Sequence, residues 1–175
     1  ISKFLSEGKI LARSAGRLEF GQRALGNRSI LADPSNPFSK QKINSAIKSR
    51  DFWMPFAPVI LDKYANKYIV NEKKIISKFM TIGFDVTKEG FKKIIAATHP
   101  ADKTARPQIL FKKDNPELYD IINKFSKITG IGALLNTSFN LHGHPIVNTP
   151  DEAIYVLQNS SLDGLLLNNF FIKKI

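Results

Sequence analysis

The residues best able to do chemistry are concentrated at 16–34, GRLEFGQRALGNRSILADP, where Arg17, Arg23 and Arg28 stand among glycines at 16, 21 and 26. Glycine lets a backbone come close to a ligand, and guanidinium forks hold phosphate or carboxylate oxygens in pairs, so this composition suits an oxyanion site. Residues 21–29 come near to a P-loop. Asn27, however, stands where a lysine must follow the second glycine, and the hydroxyl of Ser29 is out of register, which excludes a Walker motif. The plainer alternative is that the arginines pair with Glu19 and Asp33 inside a folded loop.

Two other segments offer polar groups. Asn136, Thr137, Ser138, Phe139 and Asn140 follow an apolar run directly, which puts amides and hydroxyls at the C-terminal end of a strand, where open α/β sheets bind ligands. The same residues would also serve as an Asx or Ser turn closing that strand. His99, Asp102, Thr104 and Arg106 gather an imidazole, a carboxylate, a hydroxyl and a guanidinium on one connection. They could carry a proton or clamp a phosphate, or the histidine could make a structural hydrogen bond. His142 and His144 have no carboxylate or cysteine close by, and no metal ligand is assigned.

Lys40, Lys42, Lys48 and Arg50 surround one helical pattern, and Lys63, Lys67, Lys73, Lys74 and Lys78 follow it. Such runs form solvated faces. Phe52, Trp53 and Phe56 stand among them, so a nucleic-acid surface combining cations with stacking rings stays open.

The elements that must position these groups alternate between helix and strand, which predicts an α/β or α+β domain. A short helix through Phe4 and Leu5 stops at Gly8, and a strand with in-out alternation runs over Lys9 to Ser14. A long loop over 16–34 comes next. Phe38, Ile43, Ala46 and Ile47 predict a helix, Phe56 to Leu61 a buried strand, and Asp62 the N-cap of a further helix. Strands are predicted over Met80 to Val86, Ile94 to Thr98 and Arg106 to Phe111. Asn115-Pro116 opens a helix whose face is Leu118, Ile121, Ile122, Phe125 and Ile128, ending before Gly130. Thr149 and Glu152 form a capping box for a second helix with Ala153, Ile154, Val156 and Leu157 inward. Ile131 to Leu135 and Leu165 to Leu167 are strands, and the chain finishes in a Lys-rich tail.

The 175 residues suit one domain, and folding at that length buries roughly 70% of the unfolded surface. With no cysteine there is no disulfide scaffold, thiolate metal site or cysteine nucleophile, and no apolar run approaches the ~20 residues of a membrane span. A cytoplasmic location is expected. ISKFLSEGKIL opens inside an amphipathic pattern, so the chain is expected to be a fragment of a longer protein. Twenty-six Lys and Arg against fifteen Asp and Glu leave a net charge of +11, so the partners are anionic.

In order along the chain, GRLEFGQRALGNRSILADP, KSRDFWMPFAPVIL, HPADKTARPQ and LLNTSFNLHGHPIVNTPDEAI resemble the C-terminal domain of the nodulation-type O-carbamoyltransferases. The resemblance extends over roughly residues 8 to 172. It implies a YrdC-like α/β fold: a twisted open mixed sheet with flanking helices and a basic groove. It further implies that carbamoyl phosphate is broken to carbamate, which attacks the α-phosphorus of ATP, with Mg2+, to give carbamoyladenylate. A preceding domain similar to the Kae-type ATPases would then pass the carbamoyl group to a hydroxyl acceptor. Matched position by position, Arg23 and Arg28 correspond to arginines that bind phosphate or carbamoyl groups, and Lys48 to the basic residue after the first loop. Arg106 corresponds to the arginine of an Asp-Gly-Thr-Ala-Arg run, and Asn136 and Ser138 to a nucleotide-binding Asn-Thr-Ser.

With the readings above, Arg23, Arg28 and Lys48 are the candidate catalytic residues. Arg17, Ser29, Arg50, His99, Thr104, Arg106, Asn136, Thr137 and Ser138 are the candidates for substrate or nucleotide binding. Three positions depart from the family pattern: Met54 replaces an arginine, Lys103 a glycine and His144 a glutamate. The alternatives are a nucleic-acid-binding module of the same fold and a catalytically impaired interaction domain.

Overall fold

A computed structural model describes residues 1–48 and 55–174, without the side chain of Lys48. The expectations for the Lys48 side chain, Arg50, Phe52, Trp53 and Met54 therefore lie outside the described residues.

Among the described residues nine strands form in chain order: β1 (Leu11–Ser14), β2 (Arg28–Ala32), β3 (Ala57–Leu61), β4 (Phe84–Asp85), β5 (Thr104–Ala105), β6 (Gln108–Leu110), β7 (Ala133–Ser138), β8 (Gly164–Leu167) and β9 (Phe170–Lys173). Seven of them make one mixed sheet in the order β6-β3-β7-β2-β1-β8-β9, and β4 pairs with β5 apart from it. The helices are α1 (Ser2–Ser6), α2 (Phe38–Ile43), α3 (Asp62–Tyr68), α4 (Lys88–Lys93), α5 (Pro116–Thr129) and α6 (Pro150–Gln158). A π-helical turn, Asn44–Lys48, extends α2. Among the described residues no helix is long and apolar enough to cross a membrane.

Both faces of the sheet are covered. On one, Leu11, Leu31, Val59 and Leu134 pack with Leu118, Ile122 and Phe125 of α5 and Tyr68 of α3. On the other, Ala12, Ile30 and Leu135 pack with Ile43 of α2 and Ala153, Val156 and Leu157 of α6. A central strand buried on both sides has no exposed row, so β1 and β2 are buried at every position. The in-out alternation expected over Lys9 to Ser14 is absent for that reason.

Other expectations need the same kind of correction. The supposed long loop at 16–34 contains β2, the central strand of the sheet. Ile94 to Thr98 is not a strand: Ile94 ends α4 and Ile95–Ala97 is a 3-10 turn. A short buried apolar run reads alike as strand or helix. Of Met80 to Val86 only Phe84–Asp85 is strand, and the Lys-rich tail contains β9. Asp62 is the first residue of α3 rather than its cap, and its carboxylate accepts from the Tyr119 hydroxyl at 3.2 Å.

The two helices best marked in the sequence form with the expected caps, but Ile128, expected on the inward face of α5, is exposed, because that face narrows to Leu118, Ile122 and Phe125. The Asn115 side chain accepts from the Leu118 N–H at 3.1 Å, Pro116 opens α5, and Gly130 closes it with φ 73°. Thr149 Oγ1 accepts from the Glu152 N–H at 3.2 Å, while Glu152 Oε2 accepts from the N–H groups of Asn148 at 2.6 Å and Thr149 at 3.1 Å. Those two donors hold the Glu152 carboxyl below the usual carboxylate range.

Candidate functional site

Residues paired across neighbouring strands, and residues two apart on one strand, share a face of the sheet. Arg13 is paired with Ser29, Ser29 with Ser138, Ala57 with Asn136, and Val59 with Gln108. Arg13, Ser29, Ser138, Asn136 and Gln108 therefore continue, at one end of the sheet, the face whose apolar rows include Leu11, Leu31 and Leu134. There the core gives way to a polar floor drawn from β1, β2, β6 and β7.

The glycine-rich loop between β1 and β2 covers this floor. Its consecutive carbonyls are each taken by a different strand: Ala24 O by Asn136 Nδ2 at 3.1 Å, Leu25 O by Gln108 Nε2 at 2.9 Å and Gly26 O by Arg13 Nη1 at 2.6 Å. Its N–H groups turn to Glu19, whose Oε1 accepts from Leu25 at 2.8 Å and Asn27 at 2.7 Å. Asp33 accepts instead from the N–H and hydroxyl of Ser35. Among the described residues neither carboxylate forms the arginine pairs that the plainer alternative required.

Beside the covered floor lies a pocket of about 90 Å³, lined by Arg23 and Ala24 of the loop, Phe56 and Ala57 around the start of β3, Arg106 after β5, and Asn136, Thr137 and Ser138 of β7. Each of the three segments singled out in the sequence thus contributes, through Arg23, Arg106 and residues 136–138. Asn136 to Ser138 are the last residues of β7 and not a turn after it. Ser138 Oγ donates to Asn140 Oδ1 at 2.7 Å. Asn136 Oδ1 and Arg23 Nε are buried without a partner among the described residues. Neither Arg23 nor Arg106 has an ion pair among the described residues.

The other candidates lie elsewhere. Arg28 is buried and gives its two terminal nitrogens to the carbonyls of Ala15, Gly16, Asn27 and Asn148 at 3.0 to 3.2 Å. Its terminal N–H groups go to backbone, which makes it a clamp between the loop and the start of α6, while its Nε has no partner among the described residues. It does not line the pocket. Ser29 is fully buried opposite Ser138, its hydroxyl without a partner among the described residues, and does not line the pocket. Arg17 is exposed and meets the loop through its carbonyl, which accepts from Asn27 Nδ2. His99 and Thr104 close a turn around Asp102, whose Oδ1 is 3.2 Å from His99 Nδ1 and accepts from the Thr104 N–H at 2.9 Å and hydroxyl at 2.7 Å. Hydrogen bonds from Thr104 hold the Asp102 carboxyl low. That turn delivers Arg106, two residues on, to the pocket.

The sequence reading passed over Arg13, Glu19 in its observed role, and Gln108. Arg13 is 2% exposed and donates through Nη2 to Glu117 Oε2 at 2.6 Å, and burial lowers its pKa against the opposing pull of Glu117. An arginine inside the apolar run that forms β1 was the available signal.

The family model described as Carbamoyltransferase C-terminus matches residues 2–174. The chain belongs to this family. Among relatives of the carbamoyltransferase C-terminal domain, nodulation protein NolO of Bradyrhizobium diazoefficiens is 39% identical over 172 residues, covering 98% of this chain and 31% of that protein. The 3'-hydroxymethylcephem-O-carbamoyltransferase of Streptomyces clavuligerus is 30% identical over 175 residues, covering 100% of this chain and 32% of the enzyme. An uncharacterized protein of Methanocaldococcus jannaschii is 43% identical over 173 residues, covering 99% of this chain and 28% of that protein. The chain thus spans about a third or less of the curated relatives it matches. Full-length HypF, solved in a phosphate- and nucleotide-bound form, superposes with a TM-score of 0.66 at 20% identity, covering 96% of this chain and 24% of that one. The likeness fits the YrdC-like class, with its seven-stranded mixed sheet and flanking helices.

Proposed function

We propose that this domain binds carbamoyl phosphate and ATP and forms carbamoyladenylate, as one part of an O-carbamoyltransferase whose remaining part, a Kae-like N-terminal domain, passes the carbamoyl group to a hydroxyl acceptor. The observation that carries the reading is the pair Arg23 and Arg106, two cations that have no ion-pair partner among the described residues and face one small pocket at the end of β7. Keeping two guanidinium groups together without counter-ions is unfavourable, and an anionic ligand removes the conflict.

About 90 Å³ accommodates a phosphoryl- or carbamoyl-sized group, well short of the ~300 Å³ at which pockets for larger ligands begin. The described pocket is accordingly read as the place of the reacting groups. Water cleaves carbamoyl phosphate to carbamate and inorganic phosphate; a carbamate oxygen then attacks the α-phosphorus, the bond to the β-phosphate breaks, pyrophosphate leaves, and negative charge accumulates on phosphoryl oxygens. Arg23 and Arg106 would hold that charge, with hydroxyls of Thr137 and Ser138 beside them. Both reactants are anions, so the same arginines would offset the repulsion that opposes their approach. No carboxylate lines the described pocket, so in this reading Mg2+ comes coordinated to the triphosphate.

The test is pyrophosphate release by the chain with ATP and Mg2+, with and without carbamoyl phosphate. Release that requires both substrates and is lost in Arg23→Ala and Arg106→Ala is the expected result. Release that persists in both variants would move the reaction away from this pocket. No binding of either substrate would return the domain to the alternatives of a nucleic-acid module or an interaction surface.

A further inference from the structure

Gln108 is 5% exposed, on the edge strand β6, and does not line the pocket. Its amide nevertheless joins the pocket's two sides. Nε2 donates to Leu25 O of the covering loop at 2.9 Å, and Oε1 accepts from Asn136 Nδ2 of the floor at 3.3 Å. The orientation of both amides follows from chemistry. A backbone carbonyl only accepts, so the Gln108 NH2 group must face Leu25 O, which turns its oxygen toward Asn136. Asn136 must then present its NH2 group, which Ala24 O also takes at 3.1 Å. Two carbonyls of the loop thereby fix two amides in series, and the Asn136 oxygen is left without a partner among the described residues.

Arg23 is the residue immediately before Ala24 and Leu25, the carbonyls held in this way. We infer that Gln108 is a positioning residue for Arg23: by holding the loop at Leu25 against β6 and β7, it fixes the distance between the Arg23 guanidinium and the Arg106 side of the pocket. The bond is well placed for this. It spans 83 positions of sequence and anchors a loop whose backbone has φ of 135° at Gly21 and 121° at Gly26, conformations that the flanking segments do not enforce by themselves. Glu19 orders the N–H side of the same loop and leaves its height above the sheet to the carbonyl side. This inference rests on the reading of the pocket as a phosphate site.

The test is a double-mutant cycle on ATP binding by the 175-residue chain, followed by titration calorimetry at fixed salt. Gln108→Glu keeps the acceptor for Asn136 but sets a carboxylate against Leu25 O, and it also brings a negative charge near the phosphate site. Gln108→Met keeps the length and removes both polar contacts. Each is expected to weaken ATP binding on the order of tenfold in the native background. In the Arg23→Ala background Gln108→Met, which adds no charge, is expected to change it less than about twofold, because the group being positioned is gone. If Arg23→Ala binds too weakly to measure, Arg23→Lys takes its place in the cycle.

Unchanged binding in both Gln108 variants, or an equal loss with and without Arg23, overturns the positioning role. Melting midpoints are recorded for every variant. If neither Gln108 variant folds, the residue supports the whole fold and the inference also fails. A native chain that does not bind ATP, or Arg23→Ala binding like native, instead overturns the phosphate reading on which the inference rests.

Discussion

Among the arginines of this chain, side chains of one chemical type divide by where their N–H groups are spent. Arg13 and Arg28 are buried and occupied by carbonyls or by Glu117, whereas Arg23 and Arg106 are partly exposed beside the pocket. Arg28→Ala leaves carbonyls at Ala15, Gly16 and Asn148 short of a donor and is expected to cost about 3 kcal/mol. That corresponds to a fall of roughly 6 to 12 °C in Tm for a domain of this size. Arg28→Lys should recover little, since an ammonium cannot reproduce a planar fork across those carbonyls. Arg23→Ala and Arg106→Ala should behave oppositely. Each should weaken ATP binding by about 1.5 to 3 kcal/mol while Tm moves less than about 2 °C. Calorimetric titration and a melting curve on each variant separate the two classes. In sequence Arg23 and Arg28 are indistinguishable, both flanked by small residues in one run; only the β2 register, which turns Arg28 away from the Ser29 face, tells them apart.

At the scale of elements, the site depends on how closely the glycine-rich loop lies against α5. Gly26 has φ 121°, and a Cβ there would fall 2.4 Å from Leu118 Cδ2, a residue of the core face of α5. Gly26→Ala therefore forces the loop away from the helix and strains its backbone, and both melting temperature and ATP affinity are expected to fall together. A second junction, at the other end of β1, is sensitive to pH. Burial pushes the Asp163 carboxyl up, but the Ile10 N–H and the ammonium groups of Lys42 and Lys9 bring it below its ordinary value. A carboxyl lowered in the folded state stabilises above its unfolded pKa and loses that contribution as pH falls through the folded one. Asp163→Asn should accordingly lower Tm at neutral pH, and the difference from the native chain should shrink as pH falls below the ordinary carboxylate range, in a series of melts against pH. The legible elements were those with local signals: α5 and α6 by their caps, β3 and β7 by apolar runs. β2 was hidden because its first two residues, Arg28 and Ser29, are polar yet buried, and β9 because lysines mark an edge strand as readily as a tail. The convergence of Arg23, Arg106 and Asn136 was suggested by the resemblance; their contacts with the covering loop depend on pairings far apart in sequence, which no local pattern encodes.

For the whole molecule, the net charge of +11 makes attraction to any polyanion certain and so cannot by itself identify the ligand. The described ion pairs show how the charge is disposed. Lys9 and Lys42 share Asp163, and Lys78 pairs with Asp114, while Arg23 and Arg106 face a pocket without such partners. A surface for nucleic acid and a pocket for a small phosphate therefore respond differently to salt. Nucleic-acid affinity falls with a log-log slope of about −0.9 for each phosphate neutralised, so a basic face contacting six phosphates would lose affinity with a slope near −5. A triphosphate held mainly by two arginines releases few counter-ions, and its binding should show a slope shallower than about −2 while remaining saturable. Measured between 50 and 300 mM salt, ATP binding is expected to follow the shallow dependence and to disappear in the Arg23→Ala, Arg106→Ala double variant. Binding to a single-stranded oligonucleotide is expected to follow the steep one and to survive that variant. If ATP instead followed the steep line and kept its affinity without the two arginines, it would be held by the general field of the lysines, and the pocket at the end of β7 would lose its claim to the chemistry.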